Sequence, residues 1–140
     1  LEKLGIKASI RVVDTTQYIN RRRSFDFDVM VSGYGQSNSP GNEQREYWHS
    51  DKANTPGSRN MAGIADPVID QLIELVISAP DRASLVTRTK VLDRVLLAGH
   101  YVVPNWYNPI ERIAYNKRLA RPAITPKSGV SIDTWWIKTP

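Results

Sequence analysis

The sequence predicts an α/β chain with a mixed sheet, a crossover helix and a helical hairpin. Three observations carry that expectation. Residues 6–31 run as alternating apolar residues, a short polar helix and a second apolar stretch. Residues 67–98 repeat apolar side chains at three- and four-residue spacing on either side of a proline. Short aromatic stretches follow at residues 101–106, 111–115 and 131–138. Switching between a period of two and a period near 3.6 is the pattern of strands interleaved with helices.

The first strand is expected over residues 6–13, where Ile6, Ala8, Ile10 and Val12 fall on one face and Lys7, Ser9, Arg11 and Val13 on the other. Asp14, Thr15 or Thr16 can cap a helix over residues 17–23, whose last turn holds Arg21, Arg22 and Arg23. Cations there complement the helix dipole, the ordinary reading of such a triplet. Phe25, Phe27, Val29 and Val31 then resume strand character. If the two strands are parallel neighbours, the crossover is right-handed, and the functional loop follows the C-terminal end of the second strand. That loop is residues 32–42. Gly33, Tyr34 and Gly35 do not make a phosphate loop, because the third glycine and the Lys-Ser/Thr pair are absent. Residues 44–58 are polar, and Tyr47 and Trp48 are expected to anchor them as a long irregular excursion.

The hairpin is the most explicit local signal. Asp66 can accept from the free amides of a first turn, and Pro67 stands where a missing N–H costs nothing. Val68, Ile69, Leu72, Ile73, Val76 and Ile77 are expected to form one buried face. Pro80 ends that helix by disfavouring helical geometry before it, and Asp81 caps the next. Leu85, Val86, Leu92, Val95 and Leu96 form the second apolar stripe, with Gly99 expected in the left-handed position beyond its end. In the last strand Trp135 and Trp136 point to opposite faces, so at most one is interior.

Composition narrows the function classes. The 41% hydrophobic content suits a globular chain able to bury a core, and no apolar run approaches the roughly 20 residues of a membrane-spanning helix. Zero cysteines remove disulfides, thiol catalysis and thiolate metal sites. His49 and His100 are isolated, against the three or four ligands a metal centre needs, so no metal or other cofactor is expected. The net charge of +5 is scattered, with none of the aromatic-interleaved stripe that nucleic-acid binding requires. A basic nucleic-acid-binding domain is one alternative, and a hydrolase of peptides or esters is another. The serines are plentiful, but none is marked as a strained nucleophile, so no enzyme is expected.

Three runs together carry a resemblance: residues 5–33 as a crossover, Asn60-Met61-Ala62-Gly63-Ile64-Ala65-Asp66-Pro67, and His100-Tyr101-Val102-Val103-Pro104-Asn105-Trp106-Tyr107. They resemble the C-terminal part of periplasmic oligopeptide- and dipeptide-binding proteins that feed ABC importers, the extracytoplasmic solute-binding proteins of family 5. Glu111-Arg112-Ile113-Ala114-Tyr115 and Thr134-Trp135-Trp136 look most like the Yej-type branch. The resemblance implies a fragment of a type II periplasmic-binding-protein lobe. Residues 1–110 would be part of the C-terminal substrate-binding lobe, and 111–140 a segment returning toward the other lobe. Leu1 is not an initiator methionine, and the short lead into the first strand fits a chain whose N-terminal lobe lies elsewhere in the same protein. It also implies a bacterial periplasmic protein whose partners are a peptide or peptide-like ligand and an inner-membrane permease.

The substrate-binding residues so implied are Tyr34, Gln36, Ser37 and Asn38 on the loop, with Trp106 and Tyr107 ending a strand. Tyr34 is equally suited to packing on the lobe surface, and Trp106 and Tyr107 to the core. Many relatives place an aspartate for the peptide's amino group where Ser37 stands here, and some an arginine for its carboxylate where Val31 stands. A serine cannot supply that charge. The departures point to backbone-directed, aromatic or blocked-terminus recognition, consistent with the Yej-type branch's association with modified peptides.

Overall fold

Caps written in the sequence start three of the helices. The computed structural model describes residues 1–105, 107–108, 110–127 and 129–139. Helix α1, Thr15–Arg23, begins on Asp14, whose carboxylate accepts from the Gln17 amide at 2.9 Å. Helix α2 is Glu43–Trp48. Helix α3, Pro67–Ile77, starts on Asp66, which accepts from the Val68 amide at 2.8 Å, with Pro67 in the first turn. Helix α4, Arg82–Ala98, starts on Asp81, which accepts from both the amide and the hydroxyl of Ser84 at 2.8 and 2.9 Å. Each cap satisfies an amide that no helical carbonyl can reach.

The chain divides into two units, Leu1–Val103 and Pro104–Pro140. In the first, α3 and α4 pack as the expected hairpin, and α2 lies against α3. Ile64, Ile69, Ile73, Val76 and Leu92 form the buried centre together with Tyr47 and Trp48. Tyr34, Leu72, Ile77, Leu85, Val95 and Leu96 close around it. Full burial of an aliphatic side chain of this size contributes about 1.5–3 kcal/mol, so this cluster is the main source of the unit's stability. Val68, expected on the buried face, is instead 57% exposed, because it stands about 100° around the helix from Ile69. Tyr47 and Trp48 do anchor their segment, as a helix where an irregular excursion was expected.

The crossover strands are a correction. Residues 6–13 and 25–31 carry no sheet pairing; Ile10 is 94% exposed and Val31 88%. Alternation records which faces favour burial, but a ladder needs a neighbouring strand about 4.8 Å away, and these two stretches do not supply one another. Phe25 adopts a left-handed φ of 57° just past α1, and Asp26 turns back on Arg21 through its amide and a 2.8 Å ion pair. The crossover helix is nonetheless tied to the second stretch, since the Tyr18 hydroxyl donates to the Val31 carbonyl at 2.9 Å.

A second correction concerns the end of α4. Gly99 has φ −75°, and His100 takes the left-handed conformation at φ 53°. Gly99 is needed there for space: a Cβ would stand 2.2 Å from the Tyr101 ring.

In the second unit, the sheet found among the described residues is a two-stranded antiparallel ladder, β1 (Leu119–Ala120) with β2 (Trp136–Ile137). Leu119 pairs with Ile137 and Ala120 with Trp136. Residues 101–105 and 111–115 do not join it. Trp135, which stands just before β2 and not in it, packs edge-on against Tyr115 at 4.8 Å, while Trp136 is exposed. Gly129, at φ 99°, brings the chain against Glu111, which accepts from the Val130 amide at 2.8 Å.

Candidate ligand-binding surface

The loop at residues 32–39 is held along its length by side chains from elsewhere in the first unit. Ser32 reaches the Met61 sulfur at 3.4 Å. Tyr47 donates its phenolic proton to the Gly35 carbonyl at 2.8 Å. Gln44 donates to the Gln36 side-chain oxygen at 2.8 Å, and Arg82 donates to the Asn38 carbonyl at 2.7 Å. Two tethers to the backbone, at Gly35 and Asn38, and two to the Ser32 and Gln36 side chains hold a segment that has no helix or ladder of its own, so its remaining polar groups are presented in one arrangement.

Helix α2 supplies the support. Gln44 is buried, and its oxygen accepts from the Trp48 indole at 3.1 Å while its nitrogen serves Gln36. The Gly41 amide donates to Glu43 at 3.0 Å. Burial alone would raise the Glu43 carboxyl, but the amides of Glu43 and Gly41 and the Gln44 side chain outweigh it and hold it below the usual range. The helix therefore opens on a charged carboxylate.

Tyr34 lies half-buried on this support, its ring 4.5 Å from Trp48 and 5.4 Å from Tyr47, the latter edge-on. Burial pushes its hydroxyl upward, with Arg22 acting in the opposite sense. The structure thus places Tyr34 in the aromatic packing, while Gln36, Ser37 and Asn38 are exposed on the loop. The Ser37 hydroxyl accepts from the Ser39 amide at 3.2 Å, a local turn that leaves its donor directed elsewhere. Tyr107 belongs to the second unit and is 80% exposed. Trp106 lies outside the described residues.

Sequence reasoning missed three residues that build this surface: Gln44, Arg59 and Asn60. Gln44 had a detectable signal, standing four residues before Trp48 and so on the same helical face. Arg59 sits over the Tyr47 ring at 5.7 Å and donates to its hydroxyl at 3.2 Å. Asn60, fully buried, ties His49 and Ile64 together, and nothing in the local pattern distinguishes it from a loop asparagine.

A separate open groove of about 440 Å³ is lined by His49, Asp70, Gln71, Glu74, Leu75 and Ser78. It does not assemble a hydrolase triad. His49 Nδ1 is 3.2 Å from the Asp51 amide and 3.5 and 3.9 Å from the Asp51 and Asp70 carboxylates, longer than the hydrogen bond by which a triad carboxylate orients its histidine. Ser78 spends its hydroxyl proton on the Glu74 carbonyl at 2.7 Å. Among the described residues no group of three His, Asp or Glu side chains is placed to hold a metal ion, and no helix is long and apolar enough to cross a membrane.

No family model matches the chain. It is similar to the uncharacterized protein y4wM of Sinorhizobium fredii, 54% identical over 99% of this chain and 21% of the relative. The probable peptide-binding protein YejA of Agrobacterium fabrum is 49% identical over 97% of this chain and 22% of its own length. The peptidoglycan-binding protein YepA of the same organism is 39% identical over the same shares. The chain spans about a fifth of the length of these curated relatives. By sequence it is therefore similar to one segment of the Yej-type binding proteins, matching them over nearly all of its own length.

Proposed function

We propose that this chain is part of the substrate-binding lobe of a periplasmic solute-binding protein that captures peptides or peptide-like compounds and delivers them to an ABC-importer permease in the inner membrane. The observation that carries the reading is the tethered loop. Gln36, Ser37 and Asn38 stand exposed on a backbone anchored by Tyr47, Gln44 and Arg82 over an aromatic base. Such a loop offers fixed amides, carbonyls and small polar side chains, the groups that hold an extended peptide while leaving its side chains free to vary.

In this reading a second lobe of the same protein supplies the facing wall, and hinge closure encloses the ligand. Trp106 and Tyr107 contribute apolar contact. The 1–110 and 111–140 division corresponds to the lobe and its return segment. The names of two relatives, peptide-binding and peptidoglycan-binding, share one chemistry, since peptidoglycan carries peptide stems. Ser37, lacking charge where an aspartate would pair with an amine, favours ligands whose amino end is blocked or not specifically held.

Native mass spectrometry of the full-length protein, purified gently and without added ligand, tests the proposal. A co-purifying mass that fragments as a peptide or a peptide-bearing sugar supports it. Turnover of added peptides or esters, lost on a single serine or histidine substitution, overturns it in favour of a hydrolase.

A further inference from the structure

Arg59 is an exposed guanidinium held in place without a counter-charge. Its Nη1 donates to the Tyr47 hydroxyl at 3.2 Å, and its carbon lies 5.7 Å from the centre of the Tyr47 ring. The same hydroxyl donates to the Gly35 carbonyl at 2.8 Å, so one phenolic oxygen separates Arg59 from the backbone of the candidate binding loop. Other arginines of this unit are engaged differently. Arg21 pairs with Asp26 and Arg45 with Glu74. Arg82 and Arg88 donate to backbone carbonyls of Asn38 and Leu75. Among the described residues no carboxylate pairs with Arg59.

A guanidinium has five donors in a rigid fork that matches a carboxylate, and a hydrogen bond to the hydroxyl of the buried Tyr47 removes part of the rotamer freedom that binding would otherwise cost. At Arg59 one donor is used on Tyr47 and the charge is unmatched. Its Nη1 is joined through the Tyr47 hydroxyl to the Gly35 carbonyl, on the loop along which the proposed peptide main chain would run. Ordinary surface arginines lack this fixation: they lie in solvent, and their position says nothing about a ligand.

We infer that Arg59 recognises a carboxylate of the ligand, the C-terminal carboxylate of a peptide or that of an acidic side chain. The inference rests on the peptide-binding reading and adds to it the ligand's charged group and the residue that meets it. It also explains how the surface can select a ligand end although Val31 and Ser37 are both uncharged.

The test uses the full-length protein and three pools of tetrapeptides: free acids without acidic side chains, the corresponding C-terminal amides, and amides that contain glutamate. Retained peptide is quantified by mass spectrometry for wild type, Arg59→Gln and Arg59→Lys. Wild type is expected to retain at least one carboxylate-bearing pool, the free acids or the glutamate-containing amides, about tenfold or more over the plain amides, the discrimination of one charge-assisted contact. Arg59→Gln brings the ratio of carboxylate-bearing peptides to plain amides down toward one, and Arg59→Lys restores part of the preference. Preference for the free acids assigns the carboxylate to the terminus, and preference for the glutamate-containing amides alone assigns it to a side chain. Equal retention of all three pools by wild type overturns the inference and leaves the peptide-binding reading intact. A parallel loss of acids and amides in Arg59→Gln, with their ratio unchanged, also overturns it, because Arg59 would then only support Tyr47. Retention of no pool by wild type overturns the peptide-binding reading and this inference together.

Discussion

Asn60 holds Ile64 by both of its backbone groups: Oδ1 accepts from the Ile64 amide at 2.9 Å and Nδ2 donates to the Ile64 carbonyl at 2.8 Å. The same Nδ2 also donates to the His49 carbonyl at 3.1 Å. One buried amide thereby closes the turn that precedes α3 and joins it to the end of α2. Ile64 enters the core because Asn60 satisfies the polar groups it would otherwise bury unpaired.

Asn60→Ala is expected to cost about 2–4 kcal/mol, since it leaves an amide and two carbonyls without their partner in the interior. Asn60→Asp should be at least as harmful, because a carboxylate oxygen would face two carbonyls in place of a donor. Urea unfolding of the full-length protein measures both. A loss under about half a kcal/mol for either variant would show that the turn forms without this bridge.

The hairpin gives a paired prediction. Leu92→Ala removes a side chain buried between α3 and α4 and should cost about 2–5 kcal/mol. Val68→Ala, on the same apolar list in the sequence but largely exposed in the fold, should stay within about 0.5 kcal/mol. Equal losses by chemical denaturation would mean that Val68 is covered in solution.

Acid sensitivity follows from two surface carboxylates. The Arg45 side chain, donating to the two Glu74 oxygens from Nε and Nη2, holds the Glu74 carboxyl below its usual range. The Ser84 amide, and then its hydroxyl, does the same for Asp81. A depressed folded-state pKa contributes stability that is present above the unfolded value and is lost as pH falls through the folded one. Wild-type stability should therefore decline as pH drops below about 5. The decline should be shallower in Glu74→Gln and in Asp81→Asn, with each variant approaching wild type at the acid end. Denaturation midpoints between pH 3 and 7 test this, and parallel curves for all three proteins would contradict it.

Ser37 yields a specificity prediction. Placing an acid there, Ser37→Asp, should shift the full-length protein toward peptides with a free amino terminus, because a carboxylate on this exposed loop can pair with an ammonium group. Calorimetry with matched free and N-formylated peptides measures the shift. Unchanged preference between wild type and variant would place amine recognition away from residue 37.

Much of the helical part was legible in the sequence. Asp14, Asp66 and Asp81 cap helices because a carboxylate two or three residues before an amide needs no information from elsewhere in the chain. Ile69, Ile73 and Val76 likewise follow from helical geometry. In the candidate site the sequence marked the loop, on which Gln36, Ser37 and Asn38 are exposed; of the residues around it, Gln44 was legible from its spacing to Trp48, whereas Arg59 and Asn60 had no local signal.

What the sequence by itself determined is therefore the set of local structures: where helices start, which of their faces are apolar, and which loop carries unspent polar groups. Tertiary structure alone decided which partners those faces meet. Residues 6–13 and 25–31 alternate as strands should, yet remain unpaired here, because pairing depends on a neighbour that periodicity cannot name. Val68 is left outside the core that takes Ile69, His100 takes the left-handed turn expected of Gly99, and Tyr34 settles on Tyr47 and Trp48. Each of these outcomes depends on packing between segments distant along the chain, whereas caps and periodicity act within a few residues, and only the latter can be read from a sequence without its fold.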